Sequence, residues 1–494
     1  MLWGFIFLYI IIFGVFTSLR QYNFQTQTGD MGIFVQNMWN TAHGRIMQNT
    51  LEELPNHFAI HWSPFLLLLA PLYRIFQSPY FLLMIQTIAI ALGALPLYAL
   101  AKYVLRSSSW ALVVASAYLL YPSLQWANTY DFHEIAFLPT LLLGALYCFI
   151  SGRTRWAAFF FILAAATKED AILVVAFAGI WLTLRKGDTL AHHAYSRARE
   201  LLCSPTRKRN SIGSAEVLKD IIFSPNFYGS VITVAFLFYF LVTIKLIMPT
   251  FGGGLLRIDR YAALGSSFGD IAKNLLTHPR LLFATIMTIP KLQYLFWVFA
   301  PVAFVPLFAP STLILLVPGL LENLLTTFQF QFQGLYQYDS TIVAGIFVGV
   351  VYGLHNIRAW WPKKEKIVFW IFLVAMAIGY FFRSPLNPWS FPTELFKINP
   401  HWEALRTITQ DTPPTASVAA NTNLVPHLAE REHIYMLGRE PAPVDIVLID
   451  GADLFGFKSP EEFQSYADHY AFSNNYEIRS IQNRYFIFVR KKSP

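Results

Sequence analysis

The chain has 494 residues, of which 55% are hydrophobic and only 13% are charged. Soluble proteins carry about 25% charged residues, so this composition excludes an ordinary soluble protein and indicates a polytopic α-helical membrane protein. The net charge of +8 does not indicate nucleic-acid binding, because Lys and Arg in membrane proteins first report topology. Two cysteines are too few for a disulfide framework.

The apolar runs predict about eleven transmembrane helices. The first run lacks the basic residues and cleavage site of a signal peptide and is interpreted as a span. Segment 64–76 is too short to span and is interpreted as re-entrant or interfacial. Prolines interrupt the eighth and ninth spans. The predicted spans are 2–19, 79–104, 109–122, 135–151, 155–167, 171–184, 228–248, 292–309, 311–322, 340–357 and 367–382.

Basic residues orient the spans, because loops rich in Lys and Arg remain in the cytoplasm. They are concentrated in loop 185–227, which is assigned to the cytoplasm. The N-terminus is then cytoplasmic and the protein is a multi-pass protein of the plasma membrane. Loops 20–78 and 249–291 face outward, and most acids of the 1–382 membrane domain gather on this side. Outer acids beside span ends indicate a polar cavity at the outer face.

Residues 383–494 are more polar and predict a small extracytoplasmic α/β domain. Short apolar runs alternate with helical patterns. The predicted strands are 416–420, 434–436, 445–449 and 485–490, and the predicted helices are 423–431 and 460–470.

The stretch TGDMGIFVQNMWNTAHG (28–44) places a single carboxylate, Asp30, just after the first span. Apolar residues then recur at helical spacing, which predicts an amphipathic helix over 31–43 in the membrane interface, ended by Gly44. Asp30 occupies the predicted N-cap position of this helix. An N-cap role alone explains an Asp there, and a reactive carboxylate is the alternative.

Two histidines, His57 and His61, follow in NHFAIHWSP (56–64). Their spacing would place both on one face of a helix, which suits a metal site. No H-E-x-x-H pattern is present. Hydrogen bonding to lipid headgroups or to a substrate is therefore the preferred interpretation.

Asp131, His133 and Glu134 enter an apolar run at the outer end of the fourth predicted span. Ionisable groups in such a position are costly unless they are paired or face a cavity. They are candidates to orient a hydroxyl-bearing substrate, or to bind a divalent cation such as Mg²⁺ or Mn²⁺. A solvated outer loop is the alternative.

Lys168, Glu169 and Asp170 lie between two apolar runs with no Gly or Pro between them. They form either a tight outer loop or a charged cluster among helices. An intramembrane ionisable group is a candidate functional residue, and Lys168 could hold a phosphate as a point charge. A salt bridge between helices explains the cluster equally well.

Two features of the later outer loops could also contact a substrate. Arg257 and Arg260 could clamp a phosphate, although solvated loop charges explain them as well. Segment 328–340 alternates aromatic residues with glutamines, which suits a sugar-binding lip or an interfacial aromatic belt.

Four motifs together resemble a family of predicted multi-pass membrane proteins of unknown function. They are GDMGIFVQNMWNTAHG (29–44), HWSPFLLLLAPLYRIFQSP (61–79), YPSLQWANTYDFHEIAFLP (121–139) and TKEDA (167–171). That family is similar to the GT-C superfamily of integral membrane glycosyltransferases. The resemblance implies transfer of a sugar from a polyprenyl-phosphate carrier to a glycan, lipid or protein acceptor at the outer face.

The resemblance also implies roles for individual residues. An acid soon after the first span serves as the base in many GT-C enzymes, and the matching position here is Asp30. Many members have a second acid in this loop, whereas this chain has Gly32 and Val35. Lys168 is the first choice to bind the carrier phosphate, with Arg257 or Arg260 as alternates.

Two other classes of function remain open. A transporter or lipid flippase would show inverted repeats and polar residues at the membrane midplane, and no repeat is evident. A non-catalytic scaffold or receptor with an outer binding domain is the other alternative, but it gives no reason for the embedded acids and Lys168. Convergence of Asp30, Asp131, Glu134 and Lys168 in one outer cavity would distinguish the enzyme.

Overall fold

The computed structural model describes residues 1–185, 225–441, 443–481 and 485–491, so most of the predicted cytoplasmic loop 185–227 lies outside the described residues. The α-helices are α1 (Leu2–Tyr22), α2 (Ile33–Ala42), α3 (Leu66–Ile75), α4 (Pro79–Leu92), α5 (Ala94–Leu105), α6 (Ser108–Leu119), α7 (Pro122–Thr129), α8 (Leu138–Ile150), α9 (Thr154–Ala165), α10 (Glu169–Leu184), α11 (Pro225–Val242), α12 (Met248–Thr250), α13 (Phe268–Thr277), α14 (Pro279–Ile286), α15 (Ile289–Phe299), α16 (Val317–Leu325), α17 (Ser340–Trp360), α18 (Glu365–Arg383), α19 (Pro400–Asp411), α20 (Val425–Leu428) and α21 (Pro460–Ala471). The strands are β1 (Val418–Ala420), β2 (Ile434–Met436), β3 (Ile446–Asp450), β4 (Tyr476–Ile481) and β5 (Tyr485–Arg490).

The helices confirm a multi-pass membrane protein, while the count of eleven spans stays a prediction. Within the described residues, five helical segments are long and apolar enough to cross a membrane, or six if the bent pair 279–286 and 289–302 is one span. The five are Leu2–Tyr22, Pro79–Leu105, Asn226–Thr250, Gln337–Trp360 and Pro362–Arg383. The predicted eighth span, 292–309, is broken: α15 ends at Phe299, and Ala303 and Phe304 adopt positive φ angles of 53° and 55°. The predicted ninth span, 311–322, lies within a shorter apolar helical segment, Pro310–Leu325.

The C-terminal part forms the predicted α/β unit around one five-stranded sheet of order β2-β1-β3-β5-β4. β1 is parallel to both β2 and β3, whereas β5 is antiparallel to β3 and β4. The sequence analysis missed β4 and α19. β4 alternates Tyr476 and Ile478 with the charged Glu477 and Arg479, a pattern that fits an edge strand with one solvated face.

The sheet packs on both of its faces, because side chains alternate along each strand. Val418 and Ala420 of β1 join a core with residues of the first outer loop, such as Met31 and Phe34. Ala419 points the other way, into a core closed by α21. The C-terminal unit and loop 20–78 therefore share one hydrophobic core and lie on the same side of the helical region.

The predicted interfacial helix 31–43 is instead a buried helix, α2. Gln36 on its polar face donates to Thr50 Oγ1 at 2.9 Å and to the Glu432 carbonyl at 3.0 Å. Asn37 and Asn40 are also buried. The polar face therefore packs against its own loop and the C-terminal unit rather than against lipid headgroups.

The two parts of the chain pack tightly at Gly32. A Cβ atom at this position would lie 2.9 Å from Val425 Cγ1 of α20. Any side chain at position 32 would therefore require the neighbouring residues to shift.

Gly32→Ala is expected to lower the thermal unfolding midpoint, because the added methyl group would crowd Val425. Adding an atom to a well-packed core lowers the free energy of unfolding by about 1–3 kcal/mol. Gly29→Ala, in the same turn but with nothing within 4 Å of its added Cβ, is the matched control. Thermal unfolding in detergent would compare the variants, and Gly32→Ala with Val425→Ala should recover part of the loss. Equal midpoints for the two single variants would contradict this tight packing.

Candidate functional site

Asp30 lies in a π-helical turn, Thr28–Gly32, that leads directly into α2. The predicted N-cap role is therefore wrong, because Asp30 is the third residue of the turn and no side-chain cap bond forms there. Its carboxylate turns instead to His133, whose Nε2–H donates to Oδ1 at 2.8 Å. The side chain of Asp30 remains 22% exposed, so the group can reach a ligand.

Charged and polar neighbours keep Asp30 ionised. Burial opposes ionisation, but His133, a hydrogen bond from Tyr130 and the charge of Lys168 outweigh it and lower the pKa of Asp30. Burial likewise disfavours the charged form of His133, yet Asp30 raises the pKa of this imidazole. The two groups form a carboxylate–imidazolium pair.

Asp131 lies in the loop that supplies His133, and it is buried outside the lining of the cavity described below. It is 1% exposed, its Oδ2 accepts from the Gln27 N–H at 3.0 Å, and its Oδ1 lies 3.8 Å from Arg20 Nη2. Its φ of 97° lies in a region that residues other than Gly occupy at a cost. Asp131 thus ties the Asp30 loop to the His133 loop, and its predicted role in orienting a substrate stays a prediction.

His57 and His61 each pair with a separate carboxylate. His57 Nδ1 lies 3.0 Å from both carboxylate oxygens of Glu52, and His61 Nδ1 lies 2.8 Å from Glu169 Oε1. Burial opposes the charged form of His57, but Glu52 raises its pKa. Burial together with Lys168 and His57 lowers the pKa of His61 to about 3. Of the two histidines, His57 is stabilised in its charged form by Glu52, whereas His61 is neutral.

Lys168 lies at the N-terminal end of α10 with its ammonium 3.6 Å from Asp170 Oδ2. Burial disfavours the charge, but Asp170, Glu169 and Glu134 outweigh it and hold the pKa of Lys168 above its usual value. Both partners belong to the start of α10, so this ion pair is local and is not the predicted salt bridge between helices. The predicted phosphate-binding role of Lys168 stays a prediction.

Arg257 and Arg260 have different surroundings. Arg257 Nη2 lies 2.9 Å from Glu53 Oε1. Arg260 lies 4.2 Å from the ring centre of Phe328 and forms hydrogen bonds with Gln331 and Tyr338. Arg260 forms no ion pair among the described residues.

One cavity of about 260 Å³ brings most of these side chains together. The residues that line it are Thr28, Gly29, Asp30, Ile33, Phe34, Leu51, Glu52, Glu53, His57, His61, His133, Glu134, Lys168, Arg257, Arg260, Gln337, Tyr338, Thr422, Met436, Arg439 and Phe455. Of the predicted site residues, Asp131, Glu169 and Asp170 do not line it. Asp30, Glu134 and Lys168 therefore converge on one cavity, whereas Asp131, the fourth residue of the predicted cluster, does not line it.

The sequence analysis missed Glu52, Glu53 and every cavity residue of the C-terminal unit. For Glu52 the sequence offers one signal, a carboxylate five residues before His57. Thr422 and Arg439 carry no such signal, because tertiary contact alone brings them to the cavity.

The sequence matches the family model described as "Predicted membrane protein (DUF2079)" over residues 20–487. The chain belongs to this family. No curated protein matches the sequence.

Solved structures of two other proteins are similar to this family member. ArnT from Cupriavidus metallidurans, in a crystal structure bound to undecaprenyl phosphate, is 11% identical, with 98% of each chain covered and a TM-score of 0.48. The oligosaccharyltransferase AglB from Archaeoglobus fulgidus, in complex with an inhibitory peptide and a dolichol-phosphate, is 13% identical, with a TM-score of 0.40. That match covers 87% of this chain and 64% of the archaeal chain.

The predicted cation site does not fit the arrangement of this family member. Among the residues described, no three His, Cys, Asp or Glu side chains group in a way that could hold a metal ion. Asp131 faces Arg20 and His133 faces Asp30, so Asp131, His133 and Glu134 do not form a ligand set.

Asp131→Asn is expected to make stability less dependent on pH. Burial raises the pKa of Asp131 to about 7, although Arg20 opposes the shift, whereas an unfolded Asp titrates near about 3.9. The folded state thus holds a proton that the unfolded state loses, and its stabilising contribution falls as pH rises towards 7.

Wild-type stability is expected to fall by about 1.4 kcal/mol per pH unit between about pH 5 and 6, and by about half that per unit near pH 7. Thermal unfolding of wild type and Asp131→Asn across this range measures it, with the exposed Asp411→Asn as control. Parallel pH profiles for wild type and Asp131→Asn would argue against a buried, protonated Asp131.

Proposed function

We propose that this protein is an integral membrane glycosyltransferase that moves a sugar from a polyprenyl-phosphate carrier to an acceptor hydroxyl at the outer face. The observation that carries the proposal is one cavity that holds the partly exposed Asp30 carboxylate together with Lys168, Arg257 and Arg260. A base and several cations in one site suit a displacement that releases a phosphate. The resemblance of this family to the GT-C superfamily, in which an acid soon after the first span serves as the base in many members, agrees with this assignment.

In the proposed reaction the acceptor oxygen attacks the anomeric carbon of the sugar. A bond forms between these atoms as the bond from that carbon to the phosphate oxygen breaks. Asp30 takes the hydroxyl proton, and the carrier phosphate leaves with the bonding electrons. His133 holds the carboxylate in place through the 2.8 Å hydrogen bond, while Lys168 and Arg260 stabilise the negative charge that develops on the phosphate.

An apolar route for the carrier begins beside Lys168. The Phe65 N–H, at the start of α3, donates to the Ala166 carbonyl at 2.9 Å, so α3 starts next to the proposed phosphate position. The exposed side of α3 and the residue after it present Leu67, Leu68, Leu72, Ile75 and Phe76. We assign this surface to the polyprenyl chain.

The sidedness of the site favours an enzyme over a transporter. A transporter requires polar groups near the membrane midplane. Here the charged groups gather where loop 20–78 and the C-terminal unit share a core. On the topology predicted from the basic residues, this place is the outer face.

Asp30→Asn is expected to lower the transfer rate by about a hundred- to ten-thousand-fold, the usual contribution of a positioned base. The measurement is transfer in vitro from defined polyprenyl-phosphate sugars by protein in lipid nanodiscs. Asp411→Asn, an exposed substitution outside the cavity, should retain the wild-type rate. An undiminished rate in Asp30→Asn would remove Asp30 from the role of base.

Lys168→Met is expected to weaken binding of undecaprenyl phosphate by about ten- to a hundred-fold, because a charge-assisted hydrogen bond is lost. Equilibrium binding to nanodisc-embedded protein measures the effect, with Lys273→Met, outside the cavity, as the matched control. Unchanged affinity in Lys168→Met would assign the phosphate to other cations. A thermal unfolding measurement checks that the acids near Lys168 do not destabilise the variant.

A further inference from the structure

The carboxyl ends of strands β1, β2 and β3 lead into residues that line the cavity. β1 is parallel to β2 on one side and to β3 on the other. The chain passes from β1 to β2 on one side and then crosses to β3 on the other side, so the strand order reverses between β1 and β3. In open α/β sheets, ligands bind beyond the carboxyl ends of the strands at such a point. Thr422 follows β1, Arg439 follows β2 and Phe455 follows β3, and all three line the cavity.

Arg439 reaches the cavity from the turn after β2. Gly438 has a φ of 75°, a conformation that Gly adopts readily, and the Arg439 N–H donates to the Met436 carbonyl at 3.0 Å. The guanidinium is exposed at the cavity wall and forms no ion pair among the described residues.

Arg439 and Arg257 share one carboxylate neighbour, Glu53. Arg257 Nη2 lies 2.9 and 3.1 Å from the two oxygens of Glu53. Burial disfavours ionisation of Glu53, but its backbone N–H, Arg257 and Arg439 together lower its pKa. Arg257, Arg439 and Glu53 all line the cavity, so these three side chains bring two positive charges and one negative charge to the place where the two parts of the chain meet.

This positive charge is separate from the one proposed for the carrier phosphate. Lys168 lies 3.6 Å from Asp170 Oδ2, and Arg260 packs over the ring of Phe328. Arg257 pairs instead with Glu53, and Arg439 follows β2 of the C-terminal unit. The cations that line the cavity therefore form two sets with different neighbours, one near the helices and one at the C-terminal unit.

We infer that Arg257 and Arg439, here called the interdomain arginine pair, bind a carboxylate or phosphate on the transferred sugar or on the acceptor, distinct from the carrier phosphate. Arg recognises both groups through paired hydrogen bonds of fixed geometry. This inference rests on the proposed function for the identity of the substrates. It makes the C-terminal unit the part of the protein that selects a charged substrate.

Equilibrium binding tests the inference without requiring transfer. Full-length protein in nanodiscs would be titrated with undecaprenyl phosphate bearing glucuronate and, separately, glucose. A second pair of titrations would use glucose-6-phosphate and glucose in the presence of undecaprenyl phosphate. Wild type should favour the anionic member of one pair by about tenfold, and the pair that responds identifies the sugar or the acceptor as the source of the charge.

Three variants assign the preference to the interdomain arginine pair. Arg439→Gln should abolish it, while Arg479→Gln, on edge strand β4 and outside the cavity, should keep it. Glu53→Gln should increase it, because this variant removes the carboxylate that competes for Arg257. An increase in one variant and a loss in another cannot both result from poor folding.

The result that overturns the inference is the absence of a preference in both pairs, or a preference that survives in Arg439→Gln. Failure of the proposed function looks different. Wild type would then transfer no sugar from any donor, while a preference that depends on Arg439 would still establish the anion subsite.

Discussion

The docking of the C-terminal unit onto the turn that carries Asp30 is the constraint on which the site depends. Thr28 N–H donates to Thr422 Oγ1 at 3.1 Å, and Thr28 Oγ1 donates to the Thr422 carbonyl at 3.0 Å. Gly32 lets Val425 approach the same turn. In the described structure, the first outer loop packs its large buried side chains into a core that it shares with the sheet. Docking of the sheet therefore fixes the position of the turn that carries Asp30.

Paired charges make this polar site compatible with its burial. Removing a carboxylate from water is costly unless a charged or hydrogen-bonding partner compensates. Asp30 and Glu52 each pair with a histidine whose pKa the carboxylate raises, at 2.8 and 3.0 Å, while Glu169 lies 2.8 Å from Nδ1 of the neutral His61. Such contacts orient both members, as fixed geometry at a reactive group requires.

Periodicity in the sequence predicted most helices and four of the five strands, because apolar spacing is a local property. The same local reasoning mistook Asp30 for an N-cap, since the hydrogen bond that decides its role comes from His133, about a hundred residues later. It also treated α2 as an interfacial helix. An amphipathic pattern does not reveal whether a polar face meets water or, as at Gln36, the backbone of another unit.

The sequence by itself determined the membrane class, the α/β character of the C-terminal region and a set of ionisable residues that apolar surroundings would make costly. Composition and periodicity carry that information because burial follows hydrophobicity along the chain. Only the tertiary structure decided that Asp131 lies outside the cavity lining, while Glu53 and Arg439 are part of it. Those positions follow from long-range packing, since β2 reaches the cavity only when the sheet docks on the first outer loop.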